Sequence, residues 1–421
     1  MRGIRGKKIT MVKEGTLIAT VDIGMTTNTG YCTTTDGGDI KVFKFGNTKE
    51  GFEKFWHMVV AAKNRFKCTE VIVGYESTGP YAEPLVQYLM DKPVSIVQVN
   101  PMHTKRLKEV NDNSPGKTDD KDPRVIADII RLGRSLSVVV PEGDAAYLRR
   151  LNNARERHIG ERTALLNQMQ QLVFLIFPEF KTVIQQLMGK TVRFILKNYT
   201  TPEKIGALDK NVFGEEMRKR SMGKLGIKDA ELLINAAQQT VGIKEGVAGI
   251  VLDLQHIIAQ LDVVDSFKTE IEAEMAVTLG RLPCSARLLS IKGLGVVSVA
   301  GLIGEVGDFS KFRTQSEIMK LAGLDLYEIS SGKRKGEKRI SKRGRSLIRK
   351  ILYFAAIQTI RKNGIMHEYY ESLIGRGMLK LRALVAVMRK LLGVIHAIVR
   401  DDRDYVGEYH APKRRVIQKA A

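Results

Sequence analysis

Short apolar runs and helical periods alternate through the first third of the chain. "TLIATVDIG" (Thr16–Gly24) is a brief β-branched run that ends in a carboxylate and a glycine. "TGYCTTT", a "DGGD" turn and "IKVFKF" follow with alternating faces, which predicts two more strands joined by a tight turn. "KEGFEKFWHMVVAAKNRF" has helical spacing, and "TEVIVGYE" reads as a buried strand ending in Glu76. "YAEPLVQYLMDK" predicts a helix and "VSIVQVN" a strand. "GKTDDKDPRVIADII" (Gly116–Ile130) then opens a further helix, with Pro123 at its first helical position.

The resulting order is β-β-β-α-β-α-β-α. A three-strand meander that enters alternating α/β units is the order of a ribonuclease H-like (RuvC-like) fold, expected over residues 16–145 behind a basic N-terminal arm of 1–15. From about Ala145 the texture changes to long helices. Leu151, His158, Leu165 and Leu172 recur every seven residues, and so do Leu148, Arg155, Arg162, Met169 and Ile176. A second heptad-like stretch runs through Leu254, Ile257, Leu261, Val264 and Ile271, so residues 146–280 read as a helical, coiled-coil arm. The two arginines in the first seam suit its solvated edges or a phosphate. The stretch 180–245 is mixed and has no clear pattern.

A mainly α C-terminal domain is expected over 281–405, ahead of a basic tail of 406–421. "LLSIKGLGVVSVAGLIGEVGDFSKF" sets Gly293-Leu294-Gly295 between two apolar helical patterns, as in a helix-hairpin-helix element whose turn N–H groups can hold a phosphate. Lys292, Gly293 and Gly295 are its candidate contacts, although a plain helix-turn has the same pattern. Ten Lys or Arg and one Glu stand between Lys333 and Lys350, and helical patterns follow at Leu347–Ile360 and Met378–Val399.

Composition narrows the function. The formal net charge of +22 over 421 residues calls for a polyanionic partner, with nucleic acid first and an acidic membrane surface second. No apolar run approaches the ~20 residues that span a bilayer, so no membrane partner is expected. Three scattered cysteines form neither a disulfide framework nor a zinc spacing, which suits a cytoplasmic protein.

Against that surplus of cations, Asp119, Asp120 and Asp122 crowd into four residues. Asp and Pro at a helix start explain them singly. In the expected strand order, however, Asp22 and Glu76 end neighbouring strands, and the later helix brings Asp119 and Asp122 over the same edge. Four such carboxylates repel one another unless a cation lies between them. One or two Mg²⁺, or Mn²⁺, would clamp the attacking and leaving oxygens of a phosphodiester.

These segments resemble the DEDD transposases of bacterial insertion sequences, the IS one-ten group, also described as bridge-RNA-guided serine recombinases. "VDIGMTTNTG" is similar to that family's first acidic strand, "IVGYESTGPY" to its Glu-x-Thr-Gly segment, and "VNP...KTDDKD" to its Asn-Pro...Lys-Thr-Asp-x-x-Asp. "IKGLGVVSVAGLIGEVGDFSKF" and "LAGL...SSG...ISKRGRSLIRKILY" are similar to its C-terminal transposase domain. The likeness covers roughly residues 16–175 and 284–400. It implies a catalytic metal site of Asp22, Glu76, Asp119 and Asp122 and a nucleophilic Ser331, with Ser330 as the adjacent contender. It also implies DNA partners (element ends and target) and a guide RNA; exchange of strands between two duplexes requires several active sites, so a dimer or tetramer is expected. Pro123 departs from the family, which more often has a small helix former there; it should steer Asp122 away from the α region.

The chemistry is coherent with those residues. Ser331 supplies a hydroxyl, and Lys333, Arg334, Lys335, Lys338, Arg339, Lys342, Arg343 and Arg345 supply positive charge for phosphates. Ser331 would also serve as a turn residue beside Gly332, and the basic run as a solvated face. The alternative function is a Mg²⁺-dependent RuvC-like nuclease or junction resolvase that uses water as its nucleophile. An actin-like ATPase would need a second Asp-Gly-rich hairpin in a later half, where none stands. A purely architectural nucleic-acid binder would have no use for four placed carboxylates.

Overall fold

The structure is a computed structural model and describes residues 12–76, 79–112, 121–186, 189–328, 336 and 338–405. The chain divides into two compact units, Met1–Val139 and Val140–Ala421.

In the first unit, β1 (Thr16–Asp22), β2 (Thr27–Thr34) and β3 (Phe43–Gly46) form the meander, and α1 (Lys49–Arg65) leads to β4 (Glu70–Glu76). A 3₁₀ turn, α2 (Glu83–Met90), β5 (Ser95–Val99), α3 (Pro101–Asp112), α4 (Lys121–Arg131) and β6 (Leu136–Ser137) complete it. The sheet order is β3-β2-β1-β4-β5-β6. β1 runs antiparallel to β2 and parallel to β4, while β4 runs parallel to β5 and β6 antiparallel to it. A mixed α/β sheet domain is thus followed by a mainly helical region, as expected. Leu17, Ile18, Ala19 and Val21 are fully buried, because β1 is a central strand covered on both faces. Val125, Ile126, Ile129 and Ile130 of α4 pack with Ile18, Ile72 and Val97. Elsewhere in this unit Phe45 and Phe55 stack at 4.9 Å, which seats α1.

Three local expectations change. β3 begins at Phe43 rather than Ile40. α3 and β6 were not anticipated: α3 is mostly polar, with Leu107 reaching the core, and β6 is two residues long. Asn100 nonetheless marks the start of α3, since its Oδ1 accepts from Met102 N–H at 2.9 Å and Pro101 takes the first helical position. Finally, α4 starts at Lys121, so Asp122 is helical and Pro123 lies inside the first turn. A first-turn proline forfeits no intrahelical bond, and burial of four aliphatic side chains outweighs its steric pressure on Asp122.

In the second unit, α5 (Gly143–Ile176) and α11 (Val247–Gly280) pair antiparallel. The seam of Leu148, Met169 and Ile176 is the buried one, whereas Leu151, His158, Leu165 and Leu172 are half-buried. Arg155 and Arg162 are half-buried and pair with acids across the helix pair. Arg155 pairs with Glu272 at 2.7 Å, and Arg162 Nε donates to Asp265 at 2.7 Å. Arg193 bonds Asp265 at 2.6 Å from the other side. α11 is long and apolar enough to cross a membrane by length and composition, contrary to the reading of short apolar runs. Here its Leu254, Ile257, Ile258 and Leu261 enter a core with α6 (Phe180–Val183), α7 (Lys190–Asn198), α8 (Pro202–Gly206), α9 (Lys210–Arg220) and α10 (Ile227–Gln238).

Next come α12 (Pro283–Leu289), α13 (Val296–Val306), α14 (Gln315–Ala322), the hairpin β7 (Leu326–Glu328) and β8 (Lys338–Ile340), α15 (Ser346–Thr359), α16 (His367–Gly375) and α17 (Lys380–Arg400). α15 and α17 lie within two residues of the two expected helices.

Burial pushes the Asp265 carboxyl up, but hydrogen bonds from Arg162 and Arg193 outweigh it and hold the pKa below the usual range. The stabilisation is therefore present above the ordinary carboxylate pKa near 4 and lost as pH falls below it. Asp265→Asn should lower unfolding stability by ~2 kcal/mol at neutral pH. The deficit should shrink below about pH 4 in urea titrations at both pH values; a pH-independent deficit would contradict the assignment.

Candidate acidic site and basic hairpin

β1 and β4 are in parallel register from Thr16↔Glu70 to Val21↔Tyr75, so their terminal residues, Asp22 and Glu76, follow at one level. Alternation along the strands decides which face they share. Thr20 Oγ1 donates to the Pro123 carbonyl at 2.7 Å, so the Thr20 side chain points to α4. A Cβ on Gly74 would stand 2.1 Å from Ile130 Cδ1, so that position faces α4 as well. Asp22 and Glu76, each two residues further on, belong to the same face. Both are partly exposed.

Asp122, in the first turn of α4, is 5% exposed. Lys108 of α3 forms an ion pair with its Oδ1, although no aligned hydrogen bond reaches that oxygen. The three acids thus share the carboxyl end of one sheet face. Among the described residues, however, no three His, Cys, Asp or Glu side chains close into a metal-binding group. Asp119 lies outside the described residues. The donors are hard carboxylate oxygens, one of them buried without an aligned hydrogen bond, and that chemistry fits a hard divalent cation.

The turn after Asp22 is rigid. Asn28, fully buried, accepts from Gly24 N–H at 3.1 Å and donates to Asn47 at 2.6 Å; Asn47 in turn donates to the Gly24 carbonyl at 2.8 Å. A Cβ on Gly24 would be 2.2 Å from the Thr27 carbonyl oxygen, so the close turn needs glycine.

In the second unit, β7 and β8 pair from Leu326↔Ile340 to Glu328↔Lys338. The segment that joins them includes Ser330, Ser331, Lys333, Arg334 and Lys335, which lie outside the described residues. The stem is closely tied. Ser341 N–H donates to Asp325 O at 2.9 Å, Lys342 N–H to Gly323 O at 2.9 Å and Arg345 N–H to Leu321 O at 2.8 Å. Gly344 sits where a Cβ would be 2.4 Å from Gly323 N. Lys338, Arg339, Lys342 and Arg343 are exposed. Arg345 is a strut instead: its guanidinium reaches the carbonyl and, at 3.7 Å, the carboxylate of buried Glu305, which Arg149 approaches at 3.9 Å. Arg349 donates to Ala322 O at 2.9 Å and Gly344 O at 3.1 Å, and burial pushes its pKa down.

Between α12 and α13, Gly293 has φ +104° with its would-be Cβ 2.8 Å from Thr359. Gly295, in extended backbone, caps α13 and is exposed, as is Lys292. Lys108, Thr20 and Glu305 were not singled out from the sequence. An ordinary Lys, Thr or Glu in helical or strand context carries no signal there.

Residues 19–178 match the model of DEDD transposases of the IS110 type, described as "Transposase", and residues 285–371 match "Transposase IS116/IS110/IS902 family". The chain belongs to the IS110 family of transposases. The first match runs from within β1 through α5, with all four acids; the second takes in the glycine turn, the hairpin and α15. The insertion element IS116 uncharacterized 44.8 kDa protein of Streptomyces clavuligerus is 28% identical over 305 residues, covering 68% of this chain and 72% of that protein. The IS110 uncharacterized 43.6 kDa protein of Streptomyces coelicolor is 24% identical, covering 71% and 75%. A pilin gene-inverting protein of Moraxella bovis is 26% identical over 125 residues, 29% of this chain and 39% of that protein. As an IS110-family member the chain is a transposase/recombinase.

Gly74→Ala should destabilise the first unit by ~1–2 kcal/mol through overpacking against Ile130. Ile130→Val removes the obstructing methyl, so the double variant should recover part of that loss in chemical unfolding. Additive losses would mean that position 74 does not face α4.

Proposed function

We propose that the protein cuts and rejoins DNA strands of a mobile element, with Asp22, Glu76, Asp119 and Asp122 as metal ligands and Ser331 as nucleophile. The reading rests on one observation above the rest: strands β1 and β4 end side by side in Asp22 and Glu76, on the face that α4 crosses with Asp122. The strand order supports a ribonuclease H-like (RuvC-like) domain. Four carboxylates would hold one or two Mg²⁺, which when bound neutralise phosphate charge and polarise its oxygens.

The chain's own groups do the rest. Ser331 Oγ forms a bond to phosphorus while the bond from phosphorus to a sugar oxygen breaks, and the serine proton passes to that leaving oxygen. The phosphoserine link keeps the energy of the phosphodiester, so a second sugar hydroxyl can displace the serine, return its proton and reseal a strand without ATP. Lys338, Arg339, Lys342 and Arg343 hold the backbone phosphates near the hairpin, together with Lys333, Arg334 and Lys335. Lys292 and the N–H groups at the Gly293–Gly295 turn add a second phosphate contact. A guide RNA pairing with donor and target DNA, assembly of several copies, and a cytoplasmic location complete the proposal. The net charge of +22 suits RNA and DNA alike.

Covalent trapping in cells carrying the protein and its flanking DNA tests it. A denaturation-resistant adduct mapped by mass spectrometry to Ser331, and lost in Ser331→Ala and Asp119→Asn, is the expected result. An adduct on Ser330 would move the nucleophile by one residue. Cutting that leaves no adduct and survives Ser331→Ala would favour the water-using nuclease. With about 6–10 phosphates contacted, binding should weaken ~10³–10⁵-fold between about 50 and 200 mM salt; a shallow slope in fluorescence anisotropy would contradict it.

A further inference from the structure

Lys108 stands next to the acidic site without a part in the chemistry above. It lies on α3, one turn after fully buried Thr104 and beside Leu107, which packs on the core shared with α4. Residues four apart share a helix face, so Lys108 projects from the core-facing side. Its side chain is 25% exposed and that of Asp122 only 7%, and the two form an ion pair. Burying a carboxylate costs desolvation energy that a paired cation offsets. Two cations are in prospect for Asp122, the Lys108 ammonium at Oδ1 and a divalent metal, and both draw on the one buried carboxylate.

We infer that Lys108 is a built-in counter-ion that holds Asp122 until metal arrives and is displaced when it does; the inference rests on the metal reading given above. Several features of the pair suit that role. The contact at Oδ1 is a charge contact without an aligned hydrogen bond, so its release sacrifices little directional bonding. The lysine stem is flexible, and its partial exposure gives the ammonium a route to water. α3 springs from the end of β5, whose Val99 pairs with Glu76, and Asn100 and Pro101 fix its start there; Lys108, two turns on, reaches Asp122 with its side chain. The pair therefore keeps α3 and α4 joined in the metal-free protein.

Linkage then dictates the consequences. Two ligands that compete for one carboxylate weaken each other by the same factor. Lys108→Met keeps the length and apolar stem of the side chain but removes its charge. Metal should bind the variant more tightly, by about tenfold, while the metal-free protein should melt at a lower temperature. The rise in Tm on adding metal should be larger than in the natural protein. Lys108→Arg, which keeps the charge, should stay close to the natural protein in both.

Isothermal titration of the full chain with Mn²⁺, together with thermal unfolding with and without Mn²⁺, reads these effects without any recombination assay. Tighter binding in Lys108→Met with a lower metal-free Tm supports the inference. Unchanged or weaker Mn²⁺ binding in Lys108→Met, with the Lys108→Arg protein folded, overturns it. Asp122→Asn separates the two layers: if it binds Mn²⁺ as the natural protein does, then the metal reading has failed at Asp122, and the competition fails with it.

Discussion

The packing of α4 across β1 and β4 brings Asp122 to the strand ends at Asp22 and Glu76, acids that lie far apart in the chain. Among the contacts that hold it there are the 2.7 Å bond from Thr20 to the Pro123 carbonyl and the close seat of Ile130 over Gly74. The first sets how far the N-terminus of α4 reaches past the strand ends, and the second sets its height above the sheet. Asp122 is carried into a buried position by Val125, Ile126, Ile129 and Ile130, whose burial supplies the driving force. A carboxylate placed by hydrophobic packing rather than by its own preference is a costly one, and that cost is what a cation, ammonium or metal, relieves.

The second unit uses charge differently. Its long helices α5 and α11 join through Arg155–Glu272 and Arg162–Asp265, with Arg193 closing on Asp265 from α7. Buried Glu305 collects Arg149 and Arg345, which ties the base of the β7–β8 hairpin to α5 and α13. These arginines are thus structural, and because each meets a carboxylate they leave the net surplus of +22 to other cations. On the hairpin stem Lys338, Arg339, Lys342 and Arg343 are exposed to solvent.

Much of the first unit was legible because its strands are short β-branched runs and its main helices have strong periodicity. α3 was not, since a mostly polar helix with Leu107 as its core contact leaves no apolar stripe to read. The middle helices α6–α10 were hidden for a related reason: they are short, and their apolar residues meet only when α5 and α11 bring them to a common core. Arg155 and Arg162 show the limit most directly. An arginine in an apolar seam reads as an edge or a phosphate contact until its partner, more than a hundred residues away, is seen across the helix pair.

Local pattern by itself determined the α/β-then-α layout, the strand ends at Asp22 and Glu76, the glycine turn and the basic run, because propensity, periodicity and turn chemistry act over a few residues. Tertiary structure alone decided that Asp122 is helical and buried, that Lys108 is its partner, and that Arg345 serves Glu305. Each of those outcomes depends on desolvation and on a partner distant in the chain, and neither quantity exists until the chain is packed.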